Sequence, residues 1–354
     1  MRFLFIAPRY HTNQVPIMEG LVRQGHDVMF ISHFVGNTEE HSCVNPIIIG
    51  YSCLSPKDIK KGFPPALKLF KEIKNYKADI AILRERSMYT IFAYLICKLL
   101  KIPSILYNQS PLWEDKIKND FAHRFVRCLT PKIRITPVYG TTEKGKVKEP
   151  NAHFVPFVMP PMISPKQKKY ISDGVIRILS VGKYLDRKNH LMLLKIIANK
   201  EVHLTIVGEC CTKEHKDYYD KAKKYIQEHQ LADKVNLMKN LNRTQIFQEY
   251  QKADLFIIPS TLEPASISQL EAMANSLPII CSDQNGTACY VEEGVNGYLF
   301  KDNIKSSLEE TLDLFINDPR LIEKMGIESY RLVKEKYSFW NYYGNVISLA
   351  HKIM

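Results

Sequence analysis

The chain has 354 residues and a mass of 41.0 kDa, which is long for a single hydrophobic core and predicts two domains. Its 45% hydrophobic and 24% charged residues are typical of a globular protein and exclude a low-complexity chain. The net charge is +12, and residues 1–160 carry +10 of it, since they hold 23 Lys and Arg against 13 Asp and Glu. No nucleic-acid-binding motif accompanies this basic half, so we expect a phosphate-bearing substrate or an anionic membrane surface as its partner, and no nucleic acid.

Apolar runs alternate with amphipathic runs through the first 160 residues. Six runs predict strands, at 3–7, 27–32, 45–49, 80–83, 104–107 and 134–138. Three segments with helical periodicity lie between them, at 15–24, 64–76 and 87–101. This alternation predicts an α/β domain with a parallel sheet covered by helices on both faces.

A proline-rich passage, with Pro150, Pro156, Pro160, Pro161 and Pro165, predicts a connector between two domains. The alternation then restarts, with predicted strands at 176–181, 203–207, 235–237, 255–258 and 278–281 and helices at 191–199, 217–229, 244–252 and 268–275. We therefore predict Rossmann-like domains at 1–160 and 161–336, facing each other across a cleft, and a last helix at 337–354 that packs back towards the first domain.

No segment predicts a membrane span or an exported chain. The longest apolar stretch, 89–100, contains Lys98 and is too short to cross a bilayer. Eight cysteines show neither a CxxC pair nor a zinc-like spacing. We expect a soluble cytoplasmic protein. Four lysines spaced by three (Lys68, Lys71, Lys74 and Lys77) indicate either a solvated helix face or a peripheral contact with the inner face of the cytoplasmic membrane.

The most informative segment is 263–274, which follows an apolar strand-like run. It places Glu263 and Glu271 eight residues apart, so the two carboxylates lie on nearly the same face if the whole segment is helical. A strand that runs into a helix start also gathers backbone N–H groups that receive anions. Hydroxyl-binding carboxylates beside an anion site indicate a nucleotide-sugar as a ligand.

The loop 182–188 follows the first strand of the second domain and carries three cations, Lys183, Arg187 and Lys188. Such a loop suits a diphosphate that must be held and then released, and the alternative interpretation is a solvated basic turn. Gly208 and Glu209 end the next strand, where a glycine permits close approach of a ligand to the backbone.

In its second domain the chain resembles the family 4 glycosyltransferases of the GT-B fold, also called glycosyl transferases group 1. The segments that carry the resemblance occur in the family's order, at 182–188, 204–209, 253–260, 263–274, 277–280, 285–286 and 294–299. In the first domain only 25–28 and the strand order match.

The resemblance implies roles for individual residues. Lys183 and Lys188 would hold the donor diphosphate as it departs, Glu263 would contact hydroxyls of the donor sugar, and these three form the catalytic set. Further donor-binding residues would be Glu271 at the ribose, the loop glycine Gly182, the helix start Ala265, Ser266, Ile267 and Ser268, and, near the base and ribose, Gly208, Glu209, Asn240 and Leu241. The family retains anomeric configuration. No Asp-x-Asp signature occurs, which fits a transferase that needs no metal and no cofactor, because the nucleotide-sugar is itself a substrate.

The acceptor side departs from the family pattern. The first βα loop, 9–14, lacks the usual glycines, and Asn108 and Gln109 stand where many members carry a histidine. Asn and Gln can hydrogen-bond a hydroxyl but cannot accept its proton near neutral pH. Candidate acceptor-side residues are therefore His11, Asn13, Asn108 and Gln109.

We predict a retaining glycosyltransferase that moves a sugar from a nucleotide-diphosphate sugar, UDP more often than GDP in this family, to a hydroxyl of a glycan or lipid-diphosphate-linked acceptor in surface polysaccharide or glycoconjugate synthesis. Two alternatives stay open: a nucleotide-sugar epimerase or hydrolase of the same fold, and a degenerate nucleotide-sugar-binding partner protein. No GxGxxG motif opens either half, which disfavours a dehydrogenase.

Overall fold

The computed structural model describes residues 1–34, 43–50, 63–140 and 144–353. The chain divides into two compact units, one made of Met1–Val158 with Phe339–Met354 and the other of Met159–Ser338. Among the described residues, none of the helices has the length and apolar character needed to cross a bilayer.

The described part of the first unit contains a seven-stranded sheet with the order β3-β2-β1-β4-β5-β7-β9, all of whose pairs are parallel, and a small antiparallel pair, β6-β8. The strands are Arg2–Ala7 (β1), Asp27–Ser32 (β2), Ile47–Ile48 (β3), Ile80–Arg84 (β4), Ser104–Tyr107 (β5), Trp113–Glu114 (β6), Arg134–Thr136 (β7), Val147–Lys148 (β8) and Ala152–Phe154 (β9). The helices before the domain connector are Val15–Arg23 (α1), Ala66–Tyr76 (α2), Met88–Leu99 (α3) and Phe121–Cys128 (α4).

Strand β1 shows why this sheet forms. Its side chains are apolar at successive positions because helices cover both faces of a parallel sheet. Phe3 and Phe5 join the core on one face, and Leu4 and Ile6 join the core on the other. Both halves of the strand's period-two pattern are therefore buried.

The second unit, whose residues are all described, has a six-stranded parallel sheet with the order β12-β11-β10-β13-β14-β15. The strands are Ile176–Val181 (β10), Val202–Gly208 (β11), Val235–Lys239 (β12), Leu255–Ile258 (β13), Ile279–Ser282 (β14) and Gly297–Phe300 (β15). The helices are His190–Ile197 (α5), Lys213–Glu228 (α6), Arg243–Lys252 (α7), Ile267–Ala274 (α8), Lys305–Asn317 (α9) and Arg320–Lys336 (α10), followed in the chain by Phe339–His351 (α11). The strand order reverses between β10 and β13, and in open α/β sheets ligands bind at such a reversal, beyond the carboxyl ends of the strands.

Helix α11 belongs to the first unit although it ends the chain. Its Tyr342, Val346 and Leu349 are buried in the core on one face of the first sheet, with residues of β1 and α1. Gly20 of α1 allows this packing, because a Cβ there would lie 2.1 Å from the ring of Phe339.

The predicted α/β class with two parallel sheets is confirmed, and four strands have the predicted bounds: β2, β5, β10 and β13. The strand predicted at 134–138 ends at Thr136, and the one predicted at 45–49 is reduced to Ile47–Ile48. Several elements were not predicted: α4, α9, α10, β6, β8, β9 and β15.

Candidate functional site

Three loops of the second unit are joined at the carboxyl ends of β10, β11 and β13. The Gly182 N–H donates to the carbonyl of Val207 at 2.9 Å, which ties the loop after β10 to β11. The Thr261 N–H donates to the carbonyl of Arg187 at 2.8 Å, which ties the loop after β13 to the same segment. The residues predicted from distant parts of the sequence therefore lie at one edge of the sheet, at the reversal of strand order.

The central feature of this edge is a buried ion pair. The Nζ of Lys188 lies 2.7 Å from Oε2 of Glu263, and both residues are more than nine-tenths buried. Arg187 forms a second ion pair with the same carboxylate oxygen from the more exposed side. One carboxylate thus faces two cations, and this cluster keeps a net positive charge.

Burial lowers the pKa of the Lys188 ammonium, and the nearby Arg187 and Lys183 act in the same direction, whereas Glu263 opposes the shift. A buried cation of this kind depends on its partner, since removing one member of a buried pair leaves an uncompensated charge that costs about 3–5 kcal/mol. Gly182 makes room for the pair: a Cβ on it would lie 3.1 Å from Cδ of Lys188.

The possibility that Glu263 and Glu271 share one helix face is wrong. Helix α8 begins at Ile267, so Glu263 lies in the preceding loop. Pro264 follows Glu263 directly and disfavours a helical conformation at the residue before it. The two carboxylates reach the same edge by different routes, one from the loop and one from the second turn of the helix.

Lys183 and Glu209 form a second, partly exposed ion pair at the same edge. The Nζ of Lys183 lies 2.9 Å from Oε2 of Glu209, and this pair joins the loops after β10 and β11. The two lysines of the predicted catalytic set are therefore both paired with carboxylates in the structure.

The start of α8 offers backbone donors next to these pairs. Ser266 is the N-cap residue, but its side chain does not cap the helix. Its hydroxyl instead lies 2.7 Å from that of Ser268, which also contacts the carbonyl of Val181 at 3.4 Å. Ala265 and Ile267 are half-buried. The N–H groups of the first turn lack a side-chain cap, which suits an anion.

Glu271 is held by a buried tyrosine. The hydroxyl of Tyr250 donates to Oε2 of Glu271 at 2.9 Å. Burial raises the pKa of the Glu271 carboxyl, and the hydrogen bond from Tyr250 and the charge of Arg243 act against that rise. The carboxylate is thus oriented by a rigid partner, and its second oxygen is free of this hydrogen bond.

Gly208 ends β11, and Asn240 directly follows β12. A Cβ on Gly208 would lie 2.4 Å from the carbonyl oxygen of Gly182, so a side chain does not fit there. Asn240 has a φ of 54°, and its Oδ1 accepts the N–H of Cys210 at 2.7 Å. The Asn240 oxygen is therefore committed to the backbone, and Leu241 beside it is half-buried.

Two residues of this edge were not assigned roles from the sequence. Arg187 was noticed only as one of three loop cations, yet it pairs with Glu263. Tyr184 was assigned no role: it is fully buried, and its hydroxyl donates to the carbonyl of Met238 at 2.7 Å and lies 3.1 Å from the carbonyl oxygen of Ile206. Its position as an aromatic residue inside a charged loop was the available signal.

In the first unit the four predicted residues lie after β1 and β5. Asn13 is more than nine-tenths buried, and its Oδ1 has no hydrogen-bond partner among the described residues. Asn108 is buried, and its Oδ1 accepts from Nη1 of Arg134 at 3.0 Å and from the N–H of Ser110 at 3.3 Å. His11 and Gln109 are half-buried. The structure thus gives Asn108 a clear structural task.

Two buried arginines of the first unit were not among the residues predicted from the sequence. Arg134 is almost fully buried, and its Nε lies 2.6 Å from Oε2 of Glu149. Arg84 ends β4 and is also buried, but its ion pair to Glu85 is long, at 3.6 Å. Its guanidinium lies over the ring of Tyr107, 5.2 Å from the centroid. The signal was the Arg84-Glu85-Arg86 run at the end of an apolar strand.

The fold is that of the GT-B glycosyltransferases, which have two Rossmann-like domains. A glycosyltransferase from Rickettsia africae superimposes with a TM-score of 0.75 over 99% of this chain and 98% of its own, at 16% identity. An Anabaena protein solved in complex with UDP and glucose gives a TM-score of 0.72 over 99% of this chain and 100% of its own, at 13% identity.

Sequence comparison leads to the same class. The family model described as glycosyl transferases group 1 matches residues 164–332, which lie in the second unit. A protein of Haemophilus influenzae described as an uncharacterized glycosyltransferase is 28% identical, over 91% of this chain and 90% of its own length. The predicted family resemblance is confirmed at the level of group 1 glycosyltransferases.

Proposed function

We propose that this protein is a retaining glycosyltransferase that moves a sugar from a UDP-sugar to a hydroxyl of a glycan or lipid-linked acceptor in surface polysaccharide or glycoconjugate synthesis. The observation that carries the proposal is the buried Lys188–Glu263 pair beside Arg187 and the uncapped start of α8, at the strand-order reversal of the second unit. Cations and a carboxylate in contact match a ligand that carries both phosphates and hydroxyls.

The donor diphosphate would replace the carboxylates as the partner of the lysines at this edge. A diphosphate offers Lys188 and Lys183 a stronger anionic partner than Glu263 and Glu209, and each carboxylate released would accept hydrogen bonds from donor hydroxyls. As the glycosidic bond breaks, negative charge grows on the leaving diphosphate. Lys183, Lys188 and the N–H groups at the start of α8 would stabilise that charge without a metal ion.

Glu271 would bind the ribose of the donor. Its carboxylate is fixed by Tyr250 one turn into α8, and an ionised carboxylate accepts hydrogen bonds from two adjacent hydroxyls. Gly208 would lie near the base and ribose, because it ends β11 directly before Glu209, which pairs with Lys183. The preference for UDP is supported by the Anabaena relative, which was solved with UDP and glucose. GDP is the alternative nucleotide.

The acceptor hydroxyl must lose a proton during transfer. Asn108 and Gln109 cannot take it near neutral pH, and the amide oxygen of Asn108 is already engaged by Arg134. We infer that an oxygen of the departing diphosphate takes the proton, on the face of the sugar that the diphosphate leaves. Attack on that face retains the anomeric configuration.

The basic first 160 residues favour an acceptor that carries an anionic group, such as a lipid-linked diphosphate at the inner face of the cytoplasmic membrane. Peripheral contact with an anionic membrane would bring the enzyme to such an acceptor.

The test is to incubate the purified protein with UDP- and GDP-sugars, with and without a bacterial lipid extract as the acceptor source, and to follow nucleotide release and sugar products. We expect UDP release that depends on the extract and yields a product with the donor's anomeric configuration. Rapid release without an acceptor would indicate a hydrolase, a changed sugar would indicate an epimerase, and binding without any turnover would indicate a degenerate binding protein. Each of these three results would overturn the proposal.

A further inference from the structure

Helix α4 turns its apolar side outward. Phe121 is 84% exposed and Phe125 is 56% exposed, and their rings stack with centroids 6.3 Å apart. Cys128 lies seven residues after Phe121, on the same side of the helix, and is also exposed. No side chain of α4, all of which lies in the described part of the chain, is fully buried. An ordinary surface helix has the opposite arrangement, with its apolar stripe on the core.

Polar contacts hold α4 in this orientation. Asp120 caps its start, since Oδ1 accepts the N–H of His123 at 3.0 Å. On the inner side, Arg127 donates to the carbonyl of Lys118 at 2.7 Å and to Oδ1 of Asn119 at 2.6 Å. The cationic residue that an amphipathic helix normally shows to solvent is therefore used to anchor this helix to its own preceding segment.

The surroundings of α4 are basic. Residues 116–132 contain five Lys and Arg and one Asp. Arg124 is exposed and lies one turn from Phe121 on the helix surface. Paired exposed aromatics beside several cations are the pattern of a helix that lies in the headgroup region of an anionic bilayer, with the rings inserted and the cations at the phosphates.

We propose that α4 is the element that docks this protein on an anionic lipid surface, with Phe121 and Phe125 inserted and Arg124 at the headgroups. This inference rests on the proposed function only for the biological role of membrane docking. Contact between α4 and the lipid surface itself requires neither the sugar donor nor the acceptor. Charge complementarity selects an anionic bilayer as the occupant of this face.

The lysine stripe on α2 is a second basic surface of the first unit. Lys68, Lys71, Lys74 and Lys77 are all exposed, but Leu69 and Ile73 of that helix point into the core. Leu67 of α2 is 87% exposed. This stripe provides a matched control, because its lysines would add electrostatic attraction while α2 carries one exposed leucine in place of a pair of stacked, exposed rings.

The experiment is vesicle flotation of the full-length protein without nucleotide, using vesicles of phosphatidylglycerol with phosphatidylcholine and vesicles of phosphatidylcholine alone. The wild-type protein is expected to float with the anionic vesicles only. The Phe121→Ser/Phe125→Ser variant should lose about tenfold or more in the partition coefficient, because two partly inserted rings are removed. The control Lys68→Gln/Lys71→Gln should lose less than the phenylalanine variant.

Two further measurements separate the possible outcomes. Thermal shift with UDP should be equal in the wild type and the phenylalanine variant, which shows that the variant is folded and that donor binding is a separate property. Light scattering should give the same mass for both. Unchanged flotation of the phenylalanine variant, or a larger loss in the lysine control, would overturn the proposal. A drop in mass of the phenylalanine variant would assign α4 to contact between two copies instead and would equally overturn it.

Discussion

The carboxyl-end edges of the two sheets have the same architecture and opposite chemistry. At the edge of the second unit, each predicted lysine lies against a carboxylate, Lys188 on Glu263 and Lys183 on Glu209. At the edge of the first unit, the predicted residues are amides and one histidine, and the oxygen of Asn108 is taken by Arg134. Paired charges can be exchanged for a charged ligand, whereas an amide bound to a buried arginine, as in Asn108, mainly stabilises the fold. The difference favours the second unit as the place where the donor diphosphate is bound and released.

The largest expected effect comes from Lys188→Ala. Loss of this cation removes the stabilisation of the leaving diphosphate, so we expect kcat to fall by about 10²- to 10³-fold. The matched control is Lys195→Ala, an exposed lysine on the neighbouring helix α5, which should leave kcat unchanged. Steady-state kinetics of both variants, with circular dichroism to confirm folding, makes the comparison. Equal activities of the two variants would contradict the role of Lys188.

Glu263→Gln should reduce both activity and stability. The substitution leaves Lys188 and Arg187 without their common carboxylate, and an unpaired buried cation costs about 3 kcal/mol or somewhat more. Urea unfolding measures the stability change. Because added UDP offers the cations a new anion, the variant should be stabilised by UDP more than the wild type is. A Glu263→Gln variant that is as stable as the wild type without ligand would show that the Lys188–Glu263 pair does not stabilise the fold.

Glu271→Gln should separate stability from binding. Burial raises the pKa of Glu271 in the folded state, so folding favours its protonated form and the ionised carboxylate lowers stability at neutral pH. Stability from this group therefore increases as the pH falls through the folded pKa, and Gln removes that pH dependence. We expect the variant to unfold at a higher temperature at pH 7 while its affinity for UDP falls about tenfold. Melting curves between pH 4 and pH 8 and calorimetric titration test the two halves, and a lower melting temperature together with normal affinity would reverse the assignment.

Asn108→Ala in the first unit should reduce stability and leave UDP binding unchanged. The change leaves a buried donor of Arg134 unsatisfied, so we expect a loss of about 1–3 kcal/mol in the free energy of unfolding. The affinity for UDP should stay the same, because Asn108 belongs to the first unit. Gln109→Ala, at a half-buried neighbour, is the control and should cost less stability. A large loss of UDP affinity in the Asn108 variant would contradict the assignment of UDP binding to the edge of the second unit alone.

The parallel sheets were predictable because both faces of each are buried and the strands read as continuous apolar runs, as in 255–258. Helix α4 was not predicted although Phe121, Phe125 and Cys128 have helical spacing, because its eight residues are fewer than the window of about 11–18 residues over which helical periodicity is read. Strands β6 and β8 have two residues each, too few for a periodic signal.

The residue types of the candidate site were readable from the sequence, but their pairing was not. Along the chain, three strands (β11, β12 and β13) lie between the loop of Lys188 and the loop of Glu263. The two residues meet only because β10 and β13 are neighbours in the folded sheet. The helix start could have been placed more accurately, since Pro264 marks the loop that carries Glu263 outside α8. Likewise, the buried partner of Glu271, Tyr250, follows from packing of α7 rather than from any motif.

The most direct test of the central claim is calorimetric titration of UDP into three proteins: the wild type, Lys188→Ala and Lys195→Ala. We expect the wild type and Lys195→Ala to bind UDP with equal affinity and Lys188→Ala to bind it at least about tenfold more weakly. Undiminished binding by a folded Lys188→Ala protein would contradict the assignment of this edge as the nucleotide-sugar site.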